Sequence, residues 1–317
     1  MKNISRNTFN LGLVGAIGLF SFDAALPNLL SSSNTLTTRK RIIKPPKFTK
    51  VPKLGGKIEF DELKFEEFEE GLEFSRINIY NDKELSDIVS AVRVNPKKHT
   101  LKVSSGYKNS KEVFVRDIEE WQEYLKAPIV FNSAQYMAEP WGRPVARLIS
   151  KGKNIGPRRN RSSRGMLVGD PLEKRLPEID LLDYEYDGYP NKIRYNEAVE
   201  HWMILLDGKG KIRVRESGWQ ANRTVVAKDK KSRFLVFTTE GGLFTLNKFG
   251  KFLSESKLGI ETAMNMDGGY EACLAINTKN LEYVTYGQFE TYGPNKNVSI
   301  LNAKIKIPTV VGVYPKN

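Results

Sequence analysis

Apolar positions along this chain fall into two rhythms: short alternating or β-branched runs recur from Leu72 onward, and a helical three-to-four spacing appears in two places. Ile88 to Val94 and Thr100 to Val103, separated by the turn cue Asn95-Pro96-Lys97, predict an early hairpin. Asp117-Ile-Glu-Glu120 has the form of a capping box, and Ile118, Trp121 and Leu125 follow at helical spacing until Pro128 ends the helix. An apolar strand, Ile129 to Phe131, then delivers Asn132. Trp202 to Leu206 and Lys211 to Arg215 flank Asp207-Gly-Lys-Gly210 and predict a second hairpin. Arg223 to Ala227 against Arg233 to Thr238 predicts a third. Thr245 opens a second helix with Leu246, Phe249 and Leu253 on one stripe, and Gly259 is expected as its C′ residue. Arg143 to Asp170 and Glu178 to Tyr195, rich in charge, Gly and Tyr, read as loops or insertions. Strands outnumber helices and several adjoin in sequence. The expected class is α+β, a mixed, mostly antiparallel sheet system flanked by a few helices.

One stretch combines this pattern with chemistry. The apolar strand from Ile260 to Met266 runs straight into Asp267-Gly268-Gly269. Both glycines can take positive φ and turn their N–H groups toward an oxyanion. The alternative is that Asp-Gly is a hairpin turn joining Thr262–Met266 to Cys273–Ile276.

Composition narrows the classes. At 317 residues with 40% hydrophobic content, the chain is long enough for a globular core. Its single cysteine, Cys273, excludes an intrachain disulfide and a cysteine zinc site, and its position in a strand predicts a buried, inert thiol. Only two histidines exist, His99, expected at the surface, and His201, so a Ser-His hydrolase has little to draw on. The net charge of +13 is uneven. Arg39 to Lys53 is basic, free of acids and punctuated by prolines, and an acidic patch from Asp61 to Glu70 follows it. Residues 1–25, with Lys2 and Arg6 ahead of an uncharged run, read as an export signal, either cleaved or kept as an anchor. The expected plan is signal 1–25, linker and acidic patch 26–70, and one domain 71–317. In an exported protein the basic segment suits anionic envelope polymers or lipid headgroups rather than nucleic acid, or serves as a solvated tether.

Four segments carry a family likeness. Asn265-Met-Asp267-Gly-Gly resembles the Asn-Leu-Asp-Gly-Gly signature of the phosphodiester glycosidase family. Ile129-Val-Phe-Asn132-Ser-Ala-Gln-Tyr136, Asn222-Arg223-Thr224 and Phe237-Thr-Thr-Glu240-Gly241 resemble other segments of that family, in the same order. The resemblance implies hydrolysis of a sugar-1-phosphodiester at the anomeric carbon. Phosphate departs as a stable anion, so neutralising its charge matters more than protonating it. On that resemblance Asp267 is the essential carboxylate and Glu240 a second acid or orienting group. Arg223 grips the phosphate, helped by the N–H groups of Gly268 and Gly269. Asn132 and Asn265 bind sugar hydroxyls or position Asp267, and Thr224 and Gln220 are further candidates. The sequence departs from the family at Tyr270-Glu271-Ala272, where small residues are usual; Tyr270 either stacks on a sugar or fills the pocket, and Glu271 offers another acid. Two other readings stay open: a non-catalytic module binding anionic glycan, and an enzyme using Ca²⁺ or Mg²⁺ held by Asn265, Asp267, Glu240 and Glu271.

Overall fold

The computed structural model describes residues 39–52, 55–291, 298–301 and 303–316, all within one compact unit, Arg39–Asn317. The export-signal reading of residues 1–25 lies outside the described residues. Among the described residues, twenty-three strands and two α-helices make a mostly β fold, with the few helices expected.

Three sheets enclose the main core. The first holds six strands in the order Arg41–Ile43, Leu281–Tyr286, Cys273–Asn277, Ile129–Asn132, Thr309–Pro315 and His99–Ser105. The second, of eight strands, runs Ile204–Leu206, Ile260–Asn265, Thr224–Asp229, Phe234–Thr239, Glu84–Val94, Leu72–Asn81 and Ile58–Phe60, with Glu66–Glu69 paired beside Leu72–Asn81. The third runs Lys153–Asn154, Leu148–Ser150, Tyr195–His201, Gly165–Pro171 and Ile179–Asp183. Strand period decides which residues meet. Val226, Val236 and Met264 face the shared core with Phe131, Leu274 and Leu167, while Val225, Ala227, Leu235 and Phe237 face outward onto a second core. That outer core is closed by helix α2, Leu246–Glu255, whose Phe249, Phe252 and Leu253 are buried. Helix α1, Ile118–Leu125, covers the outer face of the six-stranded sheet through Ile118 and Trp121.

Local signals were read correctly at the helix starts. Asp117 caps α1 with the reciprocal Glu120 bond, and Thr245 caps α2 through the Lys248 N–H. The third hairpin forms as expected, residues 224–228 pairing with residues 234–238 and Val226 opposite Val236.

Several expectations are corrected. Glu84–Val94 and His99–Ser105 do not pair: the Asn95–Lys98 turn carries the chain from the eight-stranded to the six-stranded sheet, because both strands need cover on two faces. His99 consequently is buried, not superficial. The stretches 143–170 and 178–195 supply strands of the third sheet rather than loops. The second hairpin is shorter than expected: its returning arm, from Lys211, is joined to the first by the Leu206–Ile212 bridge and by the Asp207 N–H to Lys211 carbonyl and Arg213 N–H to Leu205 carbonyl bonds. Helix α2 stops at Ser256, so Gly259 with φ 66° lies beyond its cap. Within the stretch read as a linker, Arg41–Ile43 adds to the six-stranded sheet, in parallel with Leu281–Tyr283, and Ile58–Phe60 pairs with Ile79–Asn81.

Candidate active site

Strand ends from both large sheets meet at Asp267. Ile260–Asn265 lies in the eight-stranded sheet and Cys273–Asn277 in the six-stranded one, so the Asp267 turn crosses between sheets and is not a hairpin. Asn132 ties the crossing together. Its side-chain oxygen accepts from Thr224 Oγ1 at 2.7 Å and from Cys273 N–H at 3.0 Å, and its Nδ2 donates to the Asp267 carbonyl at 2.8 Å. Asn132 and Thr224 are therefore spent on holding the Asp267 turn, one of the two roles expected of Asn132. Asn265, also buried, gives its Nδ2 to the Met266 carbonyl, and its Oδ1 has no partner.

The glycines act differently from expectation. Gly268 is extended, φ −130°, and donates its N–H to the Asp267 carboxylate at 3.1 Å. Gly269 alone takes positive φ, 71°, and its N–H goes to the Asn222 carbonyl at 2.9 Å. Neither N–H is free for a ligand. What the pair provides is space: a Cβ on Gly269 would come within 2.6 Å of the Glu290 carboxyl carbon, and one on Gly268 within 3.5 Å of Arg223 Nη1. Gly269–Glu271 then forms a 3-10 turn that brings Glu271 back toward Asp267.

The result is a crowd of carboxylates. Burial and the neighbouring Glu271 charge push Asp267 well above the usual carboxylate range, and Glu290 adds to the push. Glu271 is raised too, by burial first, although Tyr136 Oη donates to it at 3.1 Å and favours its ionised form. Burial pushes the Tyr136 hydroxyl and the buried Cys273 thiol upward, leaving the thiol inert as expected. Glu271 was visible in the sequence as an extra acid; Glu290 and the part played by Tyr136 were not.

Arg223 stands beside this group. Its guanidinium is nearly buried and anchored through Nε to the Phe244 carbonyl at 3.1 Å and through Nη2 to the Trp219 carbonyl at 2.5 Å. Burial lowers its pKa to about 10, still a cation at neutral pH, and Glu290 and Glu216 support the charge. The Phe244 anchor is itself positioned by Asp87, which is fully buried: Gly241 N–H donates to it at 2.6 Å, Leu243 N–H at 3.0 Å and Ile88 N–H at 2.8 Å. Sequence reasoning passed over Asp87, which looks like any other strand residue.

Arg223 also forms a wall of a cleft of about 510 Å³ with Trp202, Trp219, Arg164, Arg213 and Arg215. Tyr270 is not among its lining residues, so it does not fill this opening. Gln220 lies under the cleft as a structural group, donating to the carbonyls of Pro52 and Gly242.

Glu240 does not join Asp267. Its carboxylate receives Arg76 Nε and Nη2 at 2.7 and 2.6 Å, Ser90 Oγ at 2.7 Å and Tyr283 Oη at 2.8 Å, a closed network between the two large sheets. The four oxygen donors proposed for a cation are thus not one set, and among the described residues no group of three or more His, Cys, Asp or Glu is arranged to hold a metal ion.

The family model described as phosphodiester glycosidase matches residues 126–314, which contain the Asp267 turn, Arg223 and the cleft. No curated protein matches in sequence. Among solved structures, the catalytic domain of zebrafish N-acetylglucosamine-1-phosphodiester alpha-N-acetylglucosaminidase, auto-inhibited by its pro-peptide, superposes with TM-score 0.55 at 16% identity, over 82% of this chain and 88% of that one. A Synechocystis protein superposes with TM-score 0.51 at 11% identity over 81% of this chain and 64% of its own. A Burkholderia pseudomallei protein inferred to be exported gives TM-score 0.50 at 8% identity over 87% of this chain and all of its own. These likenesses concern the fold. The family match covers more than half of the sequence, and with it the chain belongs to the phosphodiester glycosidase family.

Proposed function

We propose that this protein is an exported hydrolase that cleaves a sugar-1-phosphodiester in a glycan or anionic envelope polymer, breaking the bond between the anomeric carbon and the phosphate oxygen. The observation that carries the reading is the placement of one anchored cation, Arg223, beside Gly268 and Glu290, next to a carboxylate pair, Asp267 and Glu271, that burial and mutual repulsion push above the usual carboxylate range. Two interacting carboxyls titrate as a unit, and a pair that shares one proton offers one acid and one base. The ionised member accepts a proton from the attacking water as its oxygen bonds to the anomeric carbon. The protonated member hydrogen-bonds to the departing phosphate, which leaves with the electron pair of the broken bond. Arg223, aimed there by the Phe244 and Trp219 carbonyls, balances the developing charge without having to reorganise. The products are a free sugar and a phosphomonoester. Tyr136 steadies Glu271, and Asn132 and Thr224 hold the turn in register.

The test is hydrolysis of a panel of sugar-1-phosphodiesters by wild type, Asp267→Asn and Arg223→Ala. Asp267→Asn is expected to keep binding and lose turnover by about 10³-fold or more, as losses of an essential acid–base group do. Arg223→Ala should lose phosphate-bearing substrates selectively. Equal rates in all three proteins would remove the mechanism, and binding without turnover by wild type would leave a glycan-binding module.

A further inference from the structure

The cleft beside Arg223 is larger and more cationic than one scissile phosphate requires. Its volume of about 510 Å³ is in the range that houses a whole small-molecule ligand. Its four arginines are not equivalent. Arg223 is anchored by the Phe244 and Trp219 carbonyls and faces the charges of Glu290 and Glu216. Arg213 is neutralised, with Asp183 at 2.7 Å and Glu185 at 2.5 Å, and this ion pair fastens the cleft wall to the third sheet. Arg164 and Arg215 are exposed and, among the described residues, have no carboxylate partner. Arg164 donates only to the carbonyls of Arg161 and Ser163, at 3.2 and 3.3 Å, while its backbone is fixed between the carbonyl of His201 and the N–H of Tyr184. The acid next to Arg215, Glu216, spends its carboxylate on the N–H groups of Ser217 and Gly218 and on the Thr245 hydroxyl. Trp202 and Trp219 line the cleft as well, the latter with half of its surface open to solvent at 51%. Two free guanidiniums beside two indoles match a ligand that alternates anionic groups with carbon-ring faces.

We propose that this cleft is a subsite for the next repeating unit on the leaving-group side, so that the substrate is a polymer of phosphodiester-linked sugars rather than a single sugar phosphodiester. Arg164 and Arg215 hold the second phosphate, and Trp202 and Trp219 hold the ring between the two phosphates. This rests on the reading of Arg223 and Asp267 given above, and it assigns a specificity that those two residues do not supply.

Two synthetic substrates with the same scissile bond separate the ideas: a hexose 1-phosphodiester of a simple alcohol, and a tetramer of hexose 1-phosphate units. The readout is the ratio of their kcat/KM values. Wild type is expected to prefer the tetramer at least tenfold, through KM, with the preference shrinking as salt screens the second phosphate. The Arg164→Ala/Arg215→Ala protein should bring the ratio close to one, and Trp219→Ala should lower it in part. A wild-type ratio near one, or a ratio the double substitution leaves intact, overturns the subsite. If neither substrate is hydrolysed, the catalytic reading fails by itself, and calorimetry of the tetramer on wild type and on the double variant then decides the cleft: binding lost in the variant supports it, equal binding overturns it. An oligonucleotide of equal charge that binds as tightly as the tetramer would show that the cleft reads charge alone, and would also overturn it.

Discussion

Two turns in the eight-stranded sheet share one local pattern, an apolar strand, an acid and a pair of glycines: Thr239-Glu240-Gly241-Gly242 and Met266-Asp267-Gly268-Gly269. Their surroundings are opposite. Glu240 meets a guanidinium and two hydroxyls, so its charge is matched and its oxygens are occupied. Asp267 receives one N–H, from its own neighbour, and faces two more acids. A carboxylate so satisfied has nothing left to offer a substrate, whereas one held at high energy can lower that energy by taking part in proton transfer. The motif places an acid at a strand end; residues distant in sequence decide whether it does chemistry or joins two sheets.

The sharpest way to break this contrast is to neutralise each acid in turn. Asp267→Asn should abolish turnover while leaving the melting temperature unchanged or higher, since it relieves repulsion with Glu271 and Glu290. Glu240→Ala should do the reverse. It strands Arg76, whose side chain is 26% exposed, and should cost about 2–4 kcal/mol, below the full penalty for a deeply buried pair, with activity per folded molecule largely kept. Melting curves paired with initial rates distinguish the two; a Glu240 variant that stays stable but inactive would reverse the assignment.

A second test concerns pH. Burial raises Asp87 to about 7 and Glu197, which accepts from Val103 and Lys151 N–H groups, also to about 7. Between the ordinary carboxylate pKa and 7, the folded protein then binds more protons than the unfolded chain. Stability is expected to fall as pH rises through that window, by up to about 1.4 kcal/mol per pH unit for each group, and to level off above it. Denaturant titrations from pH 4 to 8 measure the slope. Asp87→Asn should flatten it, and should weaken catalysis by loosening the Phe244 carbonyl that holds Arg223. A slope of the opposite sign would show that the three N–H donors outweigh burial at Asp87.

The smallest effect is expected at Tyr136. Tyr136→Phe removes the donor that favours ionised Glu271, so the acid limb of the pH–rate profile should move to higher pH, with a loss of about tenfold or less near neutrality. An unmoved limb would mean that Glu271 does not carry the titration seen in catalysis.

What could be read from the chain followed the range of the forces involved. Both helix starts were legible because capping is settled within four residues, and the Thr224–Lys228 hairpin because its turn is local. Asp267 and Arg223 were legible through their motifs. The third sheet was not: its apolar positions, such as Met166, Leu167 and Val168, sit among long charged and Gly-rich turns, so only pairing such as Leu167 with Val199 identifies them. The crossing at Asn95–Lys98 mimicked a hairpin because a turn does not state which sheet the next strand will join. Glu290 reaches the site from a segment with no pattern of its own, and the fate of the Gly269 N–H depends on Asn222, whose side chain is fixed by the Thr239 and Gly241 carbonyls.

The three-residue strand Arg41–Ile43 also shapes how this molecule meets copies of itself. Leu281–Tyr286 would otherwise present a six-residue row of open backbone groups to solvent, a template for another chain's strand. With Leu281, Glu282 and Tyr283 covered, the open part of that row is halved, and the covering strand carries Lys40 and Arg41 at its start, whose charges are shared with Glu282 and Glu66. Proteolysis just beyond Ile43 would bare the longer row, and the trimmed protein should then self-associate while its catalytic groups remain in place.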